Sequence, residues 1–389
     1  MTAARLVARA VDGRRCTGAA LSVYDSRDGS EAHHAAGDLD PDRPYFAASV
    51  TKMLTAALVL QQIDAGRIDL DTPFRHWLAG PETAELNRHG GVDRTDGITV
   101  RHLLAHTSGL PDHFQPGSRA GRCARLMRGE DSRCGFEQAL EIARRLGAIG
   151  APGTARAHYS DTSYQLLGRL LETLSGLPLA EQMRVRLFSP LGLTRTWLYD
   201  DPFDRRPKPL RHRGAELAIP LATADAGADG GLVTSAREGL ALLRAFFEGR
   251  WFDRRRLPEL QDWRPMFFPL RYGMGLMRYA DDRLPVDAGA AGPFGPVRGL
   301  PLSRPAAGRS LRRHGQPDRS ARRRVPAAGA RGPARRASRA MSVRSGPGAR
   351  SPGPFSPCAI RVRPRTPEIP AGRTGSRGRR GTRSPGRRR

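Results

Sequence analysis

The segment Met53–Ile63 is apolar on nearly every side, with Met53, Leu54, Ala56, Ala57, Leu58, Leu60 and Ile63 leaving no broad polar face. A helix of that kind belongs inside a domain, so the rest of the fold has to enclose it. Gly66 supplies its stop. The residues just before it have the opposite chemistry. Tyr45-Phe-Ala-Ala-Ser49-Val-Thr-Lys52 places a hydroxyl and an ammonium at the head of a buried helix, where both lose hydration and need a reason to be there. Lys52 is one of only two lysines in the chain; the other, Lys208, lies in a Pro/Arg-rich loop, and elsewhere the cationic residue is Arg. An ammonium can shed its proton when desolvated and act as a base, whereas a guanidinium stays protonated. Three residues apart on a helix, the two side chains share a face, so Lys52 reaches the Ser49 hydroxyl. That is the arrangement of a Ser–Lys nucleophile. With 22 serines and two lysines in 389 residues, chance supplies about 0.1 such spacings. The tetrad alone is suggestive, and its buried setting strengthens it.

Composition divides the chain. Residues 291–389 hold 26 Arg, no Lys and two acids (Asp318 and Glu368), a net of +24 out of the chain's +27. The first 290 residues are therefore close to balanced. The Arg/Pro/Gly/Ala/Ser-rich tail has too little apolar surface to offset its chain entropy and is expected to be disordered. The first 290 residues have ample length for a core, and we expect the folded domain there.

Within that part, Ala19–Tyr24 and Glu31–Gly37 read as strands around a turn at Ser26–Ser30, leading directly into the Ser49 helix. Thr99 caps a helix through Arg101–His106, Phe136–Leu146 is amphipathic, and Ser160 or Asp161 caps a Leu-striped helix ending at Gly176. Leu179–Phe188 follows Pro178, and Ser235-Ala-Arg-Glu238 has capping-box form before a helix to about Phe247. Tyr272–Met277 reads as a strand. Strands thus flank a mostly helical insertion at roughly 76–222. The N-terminus lacks an apolar leader and no run approaches membrane-spanning length, so a cytoplasmic address without a membrane partner is expected. Cys16, Cys123, Cys134 and Cys358 have no metal-like spacing; Cys123 and Cys134 could pair across a loop, but free thiols are the expectation in an unexported chain.

With Ser49-Val-Thr-Lys52 at a strand-to-helix junction, the chain resembles the β-lactamase and penicillin-binding-protein superfamily, closest to its class C-like serine hydrolases and esterases. Ile98-Thr-Val-Arg-His102-Leu-Leu-Ala-His106-Thr-Ser-Gly-Leu110 is similar to the family's His-Leu-Leu-x-His-Thr-Ser-Gly-Leu segment. Tyr159-Ser160-Asp161 stands where the family has Tyr-x-Asn, and Ala228–Ser235 and Tyr272–Leu276 match later landmarks. The resemblance implies an α+β fold, a β-lactamase/transpeptidase-like antiparallel sheet flanked by helices. It also implies acyl transfer from an ester or amide through an acyl-serine. Ser49 would be the nucleophile, Lys52 and Tyr159 the proton-transfer groups, and the Ser49 N–H one oxyanion donor. No cofactor and no metal are implied, and the partner is a small-molecule substrate. Asp161, in place of Asn, can hold Lys52 by an ion pair but repels anionic substrates, which favours an esterase over β-lactamase or carboxypeptidase work.

Blander readings stand beside these. Asp161 or Tyr159 could serve only the helix start. His102 and His106, four apart, lack a third ligand and are read as structural. The family's third motif, a strand with Lys- or His-[Ser/Thr]-Gly, is not found after the Tyr272 segment: Arg373-Thr-Gly375 lies about a hundred residues on, without apolar flanks. This leaves catalytic competence open. Arg, Pro, Gly and Ala in this mixture are what a GC-rich gene yields out of frame, so the tail reads as the product of a frame change between about Arg278 and Gly299, or else as a genuine basic extension. The alternative function is a catalytically dead scaffold whose tail binds nucleic acid or other polyanions non-specifically through its arginines; with almost no stacking aromatics, no specific nucleic-acid partner is expected.

Overall fold

The computed structural model describes residues 2–13, 16–114, 118–267, 270–279 and the short segment 361–363. Helix α1 (Ala3–Ala10) lies on a hairpin of β1 (Gly18–Asp25) and β2 (Glu31–Gly37), paired antiparallel from Gly18 opposite Gly37 to Tyr24 opposite Glu31. A further strand, β3 (Tyr45–Ala48), then intervenes before α2 (Thr51–Asp64), where the sequence reading ran β2 directly into the helix. Four apolar-in residues are too short a run to stand out by periodicity, and only pairing reveals this strand.

The insertion is helical with small hairpins, as expected. It carries β4 (Arg88–His89) and β5 (Val92–Asp93), then α3 (Val100–Leu104), α4 (Arg122–Leu126), α5 (Phe136–Leu146), α6 (Asp161–Ser175) and α7 (Leu179–Met183), the last widening into a π turn to Phe188. Strand β6 (Trp197–Leu198) and the hairpin β7 (Arg211–His212) with β8 (Ala215–Glu216) lead to α8 (Pro220–Ala224) and α9 (Gly227–Gly230). Strand β9 (Leu232–Thr234), α10 (Ala236–Glu248) and α11 (Leu257–Leu260) precede β10 (Arg264–Pro265), β11 (Leu270–Tyr272) and β12 (Met277–Tyr279). The caps explain several boundaries. Thr99 Oγ1 accepts from His102 N, and Ser235 Oγ accepts from Glu238 N at the head of α10.

β9 is the centre of a three-stranded sheet, antiparallel to β3 on one side and to β6 on the other. β10, β11 and β12 form a second antiparallel sheet. The segment read as one strand at Tyr272–Met277 is instead the reversal between β11 and β12, with Gly275 at φ +74°. A Cβ on Gly275 would lie 2.6 Å from Ala56 Cβ, so this turn is pressed onto α2 and tolerates only glycine. Segment 361–363 forms β13, parallel to β1 with Arg361 opposite Val23.

As its apolar surround demands, α2 is the axis of the core. Leu54, Ala56, Ala57, Leu58, Val59 and Leu60 are fully buried, against Leu103 and Leu104 of α3, Leu166, Leu167 and Leu170 of α6, and Leu232 and Phe246. Burying each leucine contributes about 1.5–3 kcal/mol. The approach of α6 to α9 is equally tight, because a Cβ on Gly168 would sit 2.6 Å from Ala228 Cβ. Helices α2, α6 and α9 thus meet at one point, and there the polar groups gather. The tail expected to be disordered, and the interval in which the third motif would fall, lie outside the described residues, apart from 361–363.

Candidate active site

Ser49 owes its position to an irregular strand end. The β3–β9 register shifts between Phe46 and Ala48, and Ala48 takes φ +47°, a left-handed conformation in a non-glycine residue that costs about 1–2 kcal/mol. The strand is thereby turned sharply into α2. Ser49 sits in the turn before the helix rather than on its first turn, since α2 begins at Thr51. The i to i+3 relation still holds, because Lys52 N donates to Ser49 O at 3.2 Å and closes the turn. Thr51 locks it from both sides: its Oγ1 donates to Ala48 O (2.6 Å) and accepts from Leu232 N of β9 (2.9 Å).

The four residues singled out in the sequence converge. Tyr159 OH donates to Ser49 Oγ at 2.8 Å, and Lys52 Nζ lies 3.4 Å from the same oxygen. Lys52 Nζ is 2.6 Å from Asp161 Oδ1 and donates to the Asp229 carbonyl at 2.6 Å. It also lies over the rings of Tyr159 and Tyr164, at 4.9 and 5.4 Å from their centroids. The Lys52 residue is 1% exposed. Burial works to lower its pKa, but the Asp161 carboxylate, Tyr159 and Asp229 act the other way and prevail, so the ammonium is held above its ordinary value. Burial raises the Tyr159 phenol, and the neighbouring ammonium only partly offsets this. At rest, then, both groups keep their protons.

Three carboxyl groups surround this centre, and sequence reasoning named only Asp161. Burial first, and the charge of Asp161 second, push Asp112 and Asp229 well above the usual carboxylate range. Asp112 Oδ1 accepts from the N–H of Phe114 at 3.0 Å and lies 3.4 Å from Asp161 N, while Asp229 Oδ2 accepts from Gln165 at 2.8 Å. Crowding three carboxyls around one ammonium makes each further ionisation costlier, which is the direction in which Asp112 and Asp229 are both moved. Asp229 was visible only as part of the Ala228–Ser235 landmark, and nothing in the spacing of Pro111-Asp112-His113 marks Asp112.

Neither alternative helix cap is used. Ser160 occupies the N-cap position of α6 without a side-chain cap bond, and its Oγ donates to Pro111 O at 3.0 Å. The Asp161 carboxylate is turned to Lys52. The two histidines of the second segment part company: His102 Nδ1 accepts from Thr99 N at the head of α3, while His106 lies beyond that helix, fully buried beside Tyr159. The helix expected to run through His106 stops at Leu104 because His106 takes φ +56°. Cys16, Cys123 and Cys134 are free thiols. Among the described residues no group of three or more His, Cys, Asp or Glu is placed to hold a metal, and no helix is long and apolar enough to cross a membrane.

A helical insertion between strands, a buried axial helix and a Ser-x-x-Lys turn at its head define a serine-hydrolase type of fold. The chain belongs to the Beta-lactamase family, whose sequence profile matches residues 3–299. It is 34% identical over 182 residues to penicillin-binding protein 4 of Amycolatopsis lactamdurans, covering 45% of this chain and 43% of that protein. It is 29% identical over 248 residues to the esterase EstB of Burkholderia gladioli, covering 56% and 59%. Among solved structures it resembles a D-stereospecific amidohydrolase from Streptomyces (25% identity, TM-score 0.60, covering 72% of this chain and 83% of that one). A D-amino acid amidase from Ochrobactrum anthropi SV3 is also similar (27% identity, TM-score 0.58, covering 71% and 80%). The chain spans about half the length of the curated relatives it matches.

Proposed function

We propose that this chain is an acyl-transfer hydrolase of small esters or amides, with Ser49 as nucleophile and Lys52, Tyr159 and Asp161 moving its proton. The observation that carries the reading is the shared contact on one hydroxyl: Tyr159 OH at 2.8 Å and Lys52 Nζ at 3.4 Å from Ser49 Oγ. Because the ammonium and the phenol are both protonated at rest, neither is a free base. The proton of Ser49 passes to Lys52 as Lys52 yields one to Asp161, 2.6 Å away. Ser49 Oγ then bonds the acyl carbon, and the Ser49 N–H at the strand-to-helix turn donates to the developing oxyanion. Tyr159 protonates the departing alcohol or amine and is reprotonated through Lys52 and Asp161. Water repeats the sequence to release the acid.

Charge decides the substrate class. Asp161 stands where the family has an uncharged Asn, so a substrate carboxylate entering beside Ser49 meets an acidic side chain that already holds Lys52 Nζ at 2.6 Å. We therefore assign neutral or cationic acyl groups, esters ahead of β-lactams or peptides ending in a free carboxylate. The folded domain is assigned to the first 290 residues. A fluorophosphonate probe should label the protein at Ser49, Ser49→Ala should abolish the label, and p-nitrophenyl butyrate should be cleaved faster than the p-nitrophenyl half-ester of succinate. Soluble, folded protein that takes up no label would refute the assignment.

A further inference from the structure

His106 touches the residue before Tyr159, the residue after it, and Tyr159 itself. Its backbone carbonyl accepts from His158 N at 2.7 Å, and its Nδ1 accepts from Ser160 N at 3.2 Å. Between those two anchors its ring packs on the Tyr159 ring, centroids 4.5 Å apart and planes inclined at 41°. The same ring contacts Tyr164 at 5.1 Å and Tyr272 at 4.4 Å, and Tyr272 OH donates to Tyr164 OH at 3.3 Å. Tyr164 OH in turn donates to Leu104 O at 3.0 Å. One imidazole thus ties the Tyr159 segment to Tyr164 of α6 and Tyr272 of β11, and through the Tyr164 hydroxyl to Leu104 of α3.

Several features argue that this is more than core filling. His106 is fully buried and takes φ +56°, so it holds a backbone conformation that β-branched and bulky residues avoid. Accepting at Nδ1 fixes the neutral tautomer with hydrogen on Nε2. Burial, and then the Lys52 charge, keep the ring neutral by holding its pKa well below the ordinary value. Nε2 is buried and has no hydrogen-bond partner among the described residues. A buried donor without a partner is a cost, and an apolar ring would avoid it but could not accept from Ser160 N–H.

We propose that His106 is a positioning residue, whose Nδ1 and ring face set the Tyr159 hydroxyl against Ser49 Oγ. This rests on the role given to Tyr159 above, so the test has one arm that does not need activity. In His106→Ala, a crystal structure should show the Tyr159 hydroxyl withdrawn from Ser49 Oγ, and acylation of Ser49 by the fluorophosphonate should slow about ten- to a hundredfold. His106→Asn keeps a carbonyl-type acceptor and suits the left-handed backbone, and it should recover most of that loss. Tyr159→Phe should cost far less in the His106→Ala background than in wild type, because two residues acting through one hydroxyl are not additive. Tyr159 unmoved in His106→Ala overturns the proposal whether or not the wild type is labelled. So do losses from the two substitutions that simply multiply, or an Asn variant no better than Ala once rates are normalised to folded protein.

Discussion

The chain contains two lysines, each paired with an aspartate, and the difference between the pairs shows what burial does to the same chemistry. Lys52 and Asp161 meet inside the domain, their side chains 2% and 15% exposed. Lys208 and Asp38 meet at the surface, 16% and 45% exposed, where Lys208 N also donates to Pro44 O and so fastens its loop beside the start of β3. The outer pair is a tether in water. The inner pair is a charge separation held in a medium that penalises it, surrounded by Tyr159, Tyr164 and two carboxyls, Asp112 and Asp229, whose ionisation burial opposes. The inner ammonium lies 3.4 Å from Ser49 Oγ, the hydroxyl proposed above as nucleophile.

The largest contrast comes from deleting the ammonium. Lys52→Met leaves Asp161 with no counter-charge in a buried site and should cost about 3–5 kcal/mol of stability. It should also slow Ser49 acylation at least about a thousandfold. Urea denaturation and probe labelling measure the two effects separately. An acylation rate within tenfold of wild type would remove Lys52 from the mechanism. Next comes Tyr159→Phe, which keeps the ring contact with His106 and removes only the hydroxyl; loss of one positioned proton donor should slow acylation by about a hundredfold. Equal rates would mean that the 2.8 Å contact at Ser49 Oγ is incidental.

Asp161→Asn sharpens the comparison by restoring the family's uncharged residue while leaving Lys52 in place. In the native protein the Lys52 pKa is raised although burial opposes it, because Asp161 leads the groups acting upward. The pair's contribution to stability is therefore complete below the unfolded lysine pKa of about 10.4, and is lost as pH rises beyond it through the folded value. Removing the carboxylate leaves burial less opposed, so Lys52 should titrate at a lower pH. Because there are only two lysines, 13Cε-lysine labelling gives just two resonances, and Lys208→Arg assigns them. A Lys52 resonance that titrates identically in both proteins would show that Asp161 does not hold the proton. The same variant tests substrate charge: the half-ester of succinate should gain on the butyrate ester.

The sequence carried the site's local half. Ser49 and Lys52 are linked by helical spacing, Tyr159 and Asp161 by position in an ordered series of segments, and the caps at Thr99, Ser235 and Gly176 mark their helices. The axial helix was legible because residues such as Leu54, Leu58 and Leu60 leave it no face for water. What was not legible depends on distant pairing. Strand β3 exists through β9, nearly two hundred residues away, and the bend at Ala48 arises from their register shift. Asp229 reaches Lys52 across a separation of 177 residues, and His106 reaches Ser160 across 54. Spacing says nothing about such contacts. Gly275 misled for a related reason: its positive φ makes a reversal out of a stretch whose flanking apolar residues read as one strand.

The smallest expected effect belongs to the outer pair, and it sets the baseline for the rest. Lys208→Met should change stability by no more than about 1 kcal/mol and leave Ser49 labelling unaltered, because an exposed ion pair gains little over its hydration. Its hydrogen bond holds the Asp38 carboxyl below the usual carboxylate value. That contribution is present above the unfolded pKa of about 3.9 and disappears as pH falls through the folded value. The stability difference between wild type and Lys208→Met should accordingly close on acidification and shrink with added salt, whereas the Lys52→Met deficit persists in salt because water and counter-ions do not reach it. If the Lys208→Met deficit instead persisted at high salt and low pH, the loop would be held by its backbone contact with Pro44 and its side-chain packing, and the lysine charge would be irrelevant to the tether.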